Sequence, residues 1–180
     1  MRTFCTVIVV VGLSAAHAGQ AAANPCRTVT PVIRAAPPGE SIVVASFFER
    51  ELSQLLESSA TLRSQYDRIT STSRVRVRVE PWPWKSADWM ARATITRSAS
   101  GMLDAHVQIP TPLRAFEYAE MLAHEFEHIL EQIEGVDLAV LAADPGHGVS
   151  RTVGGAFETT RAQRAGQAAA KEVAQAARDR

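Results

Sequence analysis

Between Leu113 and Glu134 the apolar residues Phe116, Ala119, Leu122, Ala123, Phe126, Ile129, Leu130 and Ile133 recur every three or four positions. That spacing lays a wide apolar stripe along one side of a helix, which needs a second layer to bury it. Gly135 supplies a helix stop. Pro110 and Pro112 end whatever precedes the helix, and Thr111 is placed to cap its N-terminus. Within the same helix runs His124-Glu125-Phe126-Glu127-His128, an H-E-x-x-H sequence. Histidines four residues apart stand one turn apart on one face, so both imidazoles can approach a single metal ion. Glu125, beside the first of them, then lies next to water on that ion.

The rest of the chain offers layers that can cover this stripe. From Ile42 to about Ile69, the residues Phe47, Phe48, Leu52, Leu55, Leu56 and Leu62 keep helical spacing, which predicts one or two helices with a break near Ser58-Ser59. Arg74 to Glu80 alternates strictly. Val75, Val77 and Val79 face one side, and Arg74, Arg76, Arg78 and Glu80 the other, as in a half-buried strand. The arginine row reads as a solvated face rather than an anion grip. Pro81-Trp82-Pro83-Trp84 should stop that strand. Ala91 to Arg97 and Met102 to Ile109 form two further strand candidates around the turn-like Ser98 to Gly101, together a β-hairpin. Its second arm puts His106 on the polar face with Asp104 and Gln108, where a surface role is expected. Asp137 to Ala143 predicts a short helical turn, and Asp144-Pro145-Gly146-His147-Gly148 a loop. Gly154-Gly155 is a flexible point. The Ala-, Gln- and Arg-rich run from Ala156 to Arg178 predicts a C-terminal helix.

Helices, then strands, then helices point to an α+β domain rather than an alternating parallel sheet. With 180 residues the chain can bury one substantial core. Its 19 basic and 19 acidic residues cancel. No basic face emerges, so no nucleic-acid partner is expected.

The N-terminus reads as an export signal over residues 1–23. Arg2 supplies the charge, Phe4 to Leu13 the apolar core, and Ala16-His17-Ala18 or Ala21-Ala22-Ala23 the cleavage site. No stretch approaches the ~20 apolar residues needed to span a bilayer, so no stable membrane span is expected after signal removal. A Pro-rich lead-in covers residues 24–40, with Pro25, Pro31, Pro37 and Pro38. A single domain covers 41–180. Cys5 lies in the signal and Cys26 near the mature start, which leaves no internal disulfide. The expected location is secreted or periplasmic.

A catalytic zinc takes three protein ligands and keeps a position for water. The pKa of that water falls to about 7, so hydroxide forms at neutral pH. His124 and His128 supply two nitrogens. Glu125 can take the proton and pass it to the leaving group. The third ligand is open between Glu158, 30 residues after His128 at the expected start of the C-terminal helix, and His147, 19 residues after it. His147 has a second candidate role, as a catalytic donor to an oxyanion. Arg161 stands one turn beyond Glu158 and can hold it by an ion pair. Glu134 lies about 15 Å along the axis from His124, out of reach of the same ion. Glu131 is nearer and can support His128.

These residues resemble the zincin metallopeptidases, in which an H-E-x-x-H helix packs on a small twisted sheet. The resemblance implies a mixed or antiparallel sheet with helices at both chain ends. It also implies that an edge strand, here Met102 to Ile109, pairs with extended substrate. A downstream Glu ligand is gluzincin-like. By that pattern His124, His128 and Glu158 bind Zn2+ and Glu125 is the base. The metzincin extension is absent, since Glu131 stands where its Gly belongs and Glu134 where its last His belongs. The activity implied is an exported zinc-dependent metallopeptidase acting on peptide or protein substrates. Two alternatives share the site: a non-catalytic zincin-like protein that binds metal or a partner, and a hydrolase for a non-peptide amide.

Overall fold

The computed structural model describes residues 8–9, 41–83, 91–152 and 154–179. The cleavage sites, the Pro-rich lead-in, both cysteines and Trp84 lie outside them, as does the export signal apart from Ile8 and Val9.

In chain order the elements are β1 (Ile8–Val9), β2 (Ile42–Val44), α1 (Ser46–Ser58), α2 (Ala60–Ser71), β3 (Val75–Pro83), β4 (Arg92–Arg97), β5 (Leu103–Thr111), α3 (Ala115–Ile133), α4 (Leu138–Leu141), β6 (Val149–Arg151), β7 (Phe157–Thr159) and α5 (Thr160–Arg178). A five-stranded sheet has the order β1-β4-β5-β3-β2, and β6 and β7 form a separate two-stranded ribbon. The fold is α+β with a small mixed sheet. β4 and β5 are antiparallel, joined as the predicted hairpin through Gly101 at φ +81°, while β3 runs parallel to both β5 and β2.

The alternation in β3 and β5 decides which sheet face is covered. Val75, Val77, Val79, Leu103, Ala105, Val107 and Ile109 are all buried in one core with Leu122, Phe126, Ile129 and Leu130 of α3. Each large apolar side chain buried this way contributes on the order of 2 kcal/mol. Arg76 and Arg78 point to the opposite, solvated side, as expected. Arg74 sits just before the strand at φ +63°.

Four boundaries differ from the sequence reading, each for a local reason. Ile42 to Val44 form β2 beside Val77 to Val79, so the helix does not begin until Ser46. Pro81 and Pro83 do not stop β3. Val77 N donates to Ser41 O, and Val79 O accepts from Ala45 N, so odd-numbered residues turn their backbone toward β2. β2 ends at Val44, and the missing N–H of a proline with that parity costs no ladder bond. Pro110 likewise lies inside β5, which runs on to Thr111. Thr111 therefore cannot cap α3. Arg114 occupies that position, and its N–H donates to Glu117 Oε2 at 2.9 Å.

The expected break at Ser58-Ser59 is a cap. Ser59 Oγ accepts from Leu62 N at 3.1 Å and donates to Glu172 Oε2 at 2.6 Å. Glu172, on α5, also accepts from Thr61 N and Thr61 Oγ1. Its carboxylate thus closes the positive N-terminus of α2 and ties α5 to it.

Gly166 sets the α3–α5 distance. A Cβ there would lie 2.7 Å from Glu120 O and 3.4 Å from His124 Cβ. Helix α5 meets α3 through Ala162, Gly166, Ala169 and Val173, four buried residues at helical spacing with little side-chain bulk. The motif helix is therefore sandwiched between the sheet and α5.

Candidate metal centre

Helix α3 carries His124 and His128 on the flank turned toward α5, away from the sheet-facing stripe. Their Nε2 atoms are 3.1 Å apart. β7 brings Glu158 to them, with Oε1 3.3 Å from His124 Nε2. One ligand atom from each of the three lies within 4.8 Å of the others, and all three residues are buried. Tetrahedral zinc, with Zn–N near 2.0–2.1 Å, holds ligand nitrogens roughly 3.3 Å apart. The donor set and its spacing fit a divalent ion.

The second layer is built from the same two segments. His128 Nδ1 bonds to Glu131 Oε2 at 2.8 Å, which leaves Nε2 for the ion. Thr159 Oγ1 donates to Glu131 Oε1 at 2.7 Å and accepts from Ala162 N at 3.0 Å as the N-cap of α5. Thr159 N donates to Glu158 Oε1 at 3.0 Å. One threonine therefore caps a helix, steadies Glu158 and fixes the carboxylate that orients His128.

Burial and mutual charge shift the protonation of all three residues. Burial pushes His124 down to about 3, helped by the positive charge of His128. Burial also lowers His128, but the Glu131 hydrogen bond and the charges of Glu125, Glu131 and Glu158 outweigh it, and the net shift is upward. Glu158 is raised to about 7, by burial first. The charge of His128 and the Thr159 N–H oppose this, while Glu125 and Glu131 add to it. Once deprotonated, that carboxylate and the neutral imidazole beside it are donors of the kind that could hold a divalent ion.

Other residues expected near the site are placed differently. Glu158 is on a strand, not at the start of the C-terminal helix, which begins at Thr160. Arg161 does not hold it. Its guanidinium pairs with Glu127 and Glu134 instead. Arg68 joins Glu134, and Gln65 Nε2 donates to Glu127 Oε2 at 2.6 Å. These contacts lock α2 and α5 onto α3 from behind the motif. His147 lies outside the three-residue group. It follows Asp144 in a 3-10 turn, its Nε2 is 3.0 Å from Asp144 Oδ2, and its side chain is 54% exposed. His106 is half-exposed and bonds to Glu80 Oε2 at 2.8 Å on the outer sheet face. Met102 to Ile109 is not an edge strand. β5 lies between β4 and β3, so its backbone is already paired on both sides.

Sequence reasoning missed Thr159 and the β6–β7 ribbon. The signal was present: two short runs, Val149-Ser150-Arg151 and Phe157-Glu158-Thr159, flank Gly154-Gly155, which is hairpin punctuation. No protein-family model, curated protein or solved structure matches the chain.

Proposed function

We propose that the chain is an exported zinc-dependent metallopeptidase of zincin type, with His124, His128 and Glu158 as ligands and Glu125 as the proton-handling group. The observation that carries the reading is the convergence of three buried ligand atoms, from two separate elements, beside the Glu of an H-E-x-x-H helix. Zinc held there would supply a Lewis acid and a hydrolytic nucleophile at neutral pH. Glu125 lies next to His124 and is fully buried, where a carboxylate can accept a proton and return it to a departing amine. Glu131 keeps the His128 ring in one orientation, and Thr159 keeps Glu131 in place. Peptide is the substrate class that the H-E-x-x-H arrangement suggests, and the reading of residues 1–23 as an export signal supports action outside the cytoplasm. Among the described residues no helix is long and apolar enough to cross a membrane.

One observation favours a second reading, a non-catalytic metal-binding protein. Glu125 and the three ligands are all buried, and closed metal sites are typically structural. The Glu125→Gln variant separates the two. A peptidase loses cleavage of an unstructured protein such as casein by 10²-fold or more, on the order expected for a general base, while still binding one zinc per chain. Zinc-loaded wild-type protein that cleaves nothing across peptide libraries sinks the peptidase reading and leaves the binding one.

A further inference from the structure

A second cavity, of about 370 Å³, opens at the far end of α3 from the metal centre, between α1, the start of α3 and the end of α5. Its volume is in the range of small-molecule sites. Phe48, Leu55, Leu113 and Val173 supply apolar wall, and Phe47 stands at its mouth, 62% exposed. Three rings form a continuous aromatic surface: Phe47 meets Phe48 edge-on at 5.3 Å, and Phe48 stacks on Tyr118 at 4.9 Å.

Two polar features break the apolar lining. Tyr118 is 4% exposed, yet its hydroxyl has no hydrogen-bond partner among the described residues. Leaving such a group unpaired costs roughly 1–3 kcal/mol, and this hydroxyl is sealed from the cavity, with less than 1 Å² of accessible area. The other feature is Glu51, the one charged residue among the described residues of the wall, with no Lys, Arg or His to balance it. Glu51 is close enough for its charge to act on the Tyr118 hydroxyl, which burial already keeps firmly protonated.

We propose that this cavity binds a small apolar amine, with its hydrocarbon body among Phe48, Leu55 and Val173 and its ammonium group at the Glu51 carboxylate. The carboxylate and the aromatic faces both attract a cation. They repel a fatty or aromatic acid of the same shape. Tyr118 precedes His124 by six residues, about 9 Å along the helix, so the site is separate from the metal ligands.

The test is calorimetric titration of the full chain with 4-phenylbutylamine, 4-phenylbutanol and 4-phenylbutyrate, which differ only in the head group. The amine should bind in the sub-millimolar range, and about tenfold or more tighter than the acid. Glu51→Gln should remove the preference for amine over alcohol. Tyr118→Phe, which deletes only the sealed, unpaired hydroxyl and leaves the ring stack, should keep the amine bound as in wild type without loss of folded circular dichroism. Equal binding of amine and acid, an unchanged preference in Glu51→Gln, or no binding of the amine at millimolar concentration overturns the proposal.

Discussion

Gly166 offers a test in which two physical effects predict opposite signs. In an exposed helix, Gly→Ala stabilises by about 1 kcal/mol, because alanine loses less backbone entropy. At Gly166 the added methyl would lie 2.7 Å from the Glu120 carbonyl oxygen, which belongs to backbone and cannot swing aside. Ordinary contact begins near 3.4 Å, so α5 would have to retreat from α3 by about 0.7 Å (3.4 − 2.7). Overpacking of this kind costs typically 1–3 kcal/mol. Set against the propensity gain of about 1 kcal/mol, Gly166→Ala should destabilise the metal-free protein by up to about 2 kcal/mol. Urea unfolding followed by far-ultraviolet circular dichroism gives the sign. The same retreat shifts the α5 N-terminus, where Thr159 holds Glu131 and Glu158. Zinc affinity, measured by competition with a chromophoric chelator, should therefore fall as well. A variant more stable than wild type would mean that the two helices do not cross as closely as Gly166 implies.

The remaining predictions concern the metal centre and the helix caps. Glu131→Gln keeps size but weakens the acceptor for His128 Nδ1, and should reduce zinc affinity 10–100-fold in the chelator competition; an unchanged affinity would remove Glu131 from the site. Zinc binding should strengthen as pH rises through about 7. Below that value Glu158 holds a proton in the metal-free protein, which the ion must displace, and above it the carboxylate is ready. Calorimetry in buffers of different ionisation enthalpy should show proton release at pH 6 and less at pH 8, and equal release at both would contradict the assignment of Glu158. Ser59→Ala removes the α2 cap and one partner of Glu172, and should cost about 1–2 kcal/mol in urea unfolding.

Much of the site was legible because helical spacing is a local property. His124 and His128 share a face whatever surrounds them, and Glu131, three residues beyond His128, sits within reach of it on the same helix. The hairpin of β4 and β5 was equally local, since alternation and a turn suffice to define it. Glu158 could be nominated but not placed. Its approach depends on a ribbon of two three-residue strands, too short for any periodicity to register. The partner of Arg161 was misjudged for a similar reason. Arg161 follows Glu158 by three residues, but which acid it meets depends on how α5 lies across α3, and there it pairs with Glu127 and Glu134.

What the chain determines by itself is therefore the pair of imidazoles, the carboxylate between them, and an α+β order of elements, because each follows from spacing along one segment. Tertiary structure alone decides which carboxylate joins the two imidazoles, the interior position of β5 and the closeness of α5. Those depend on distances between segments far apart in sequence, set by how tightly buried surfaces pack: the missing side chain of Gly166, the end of β2 at Val44, and the turn that swings Phe157-Glu158-Thr159 onto the motif helix.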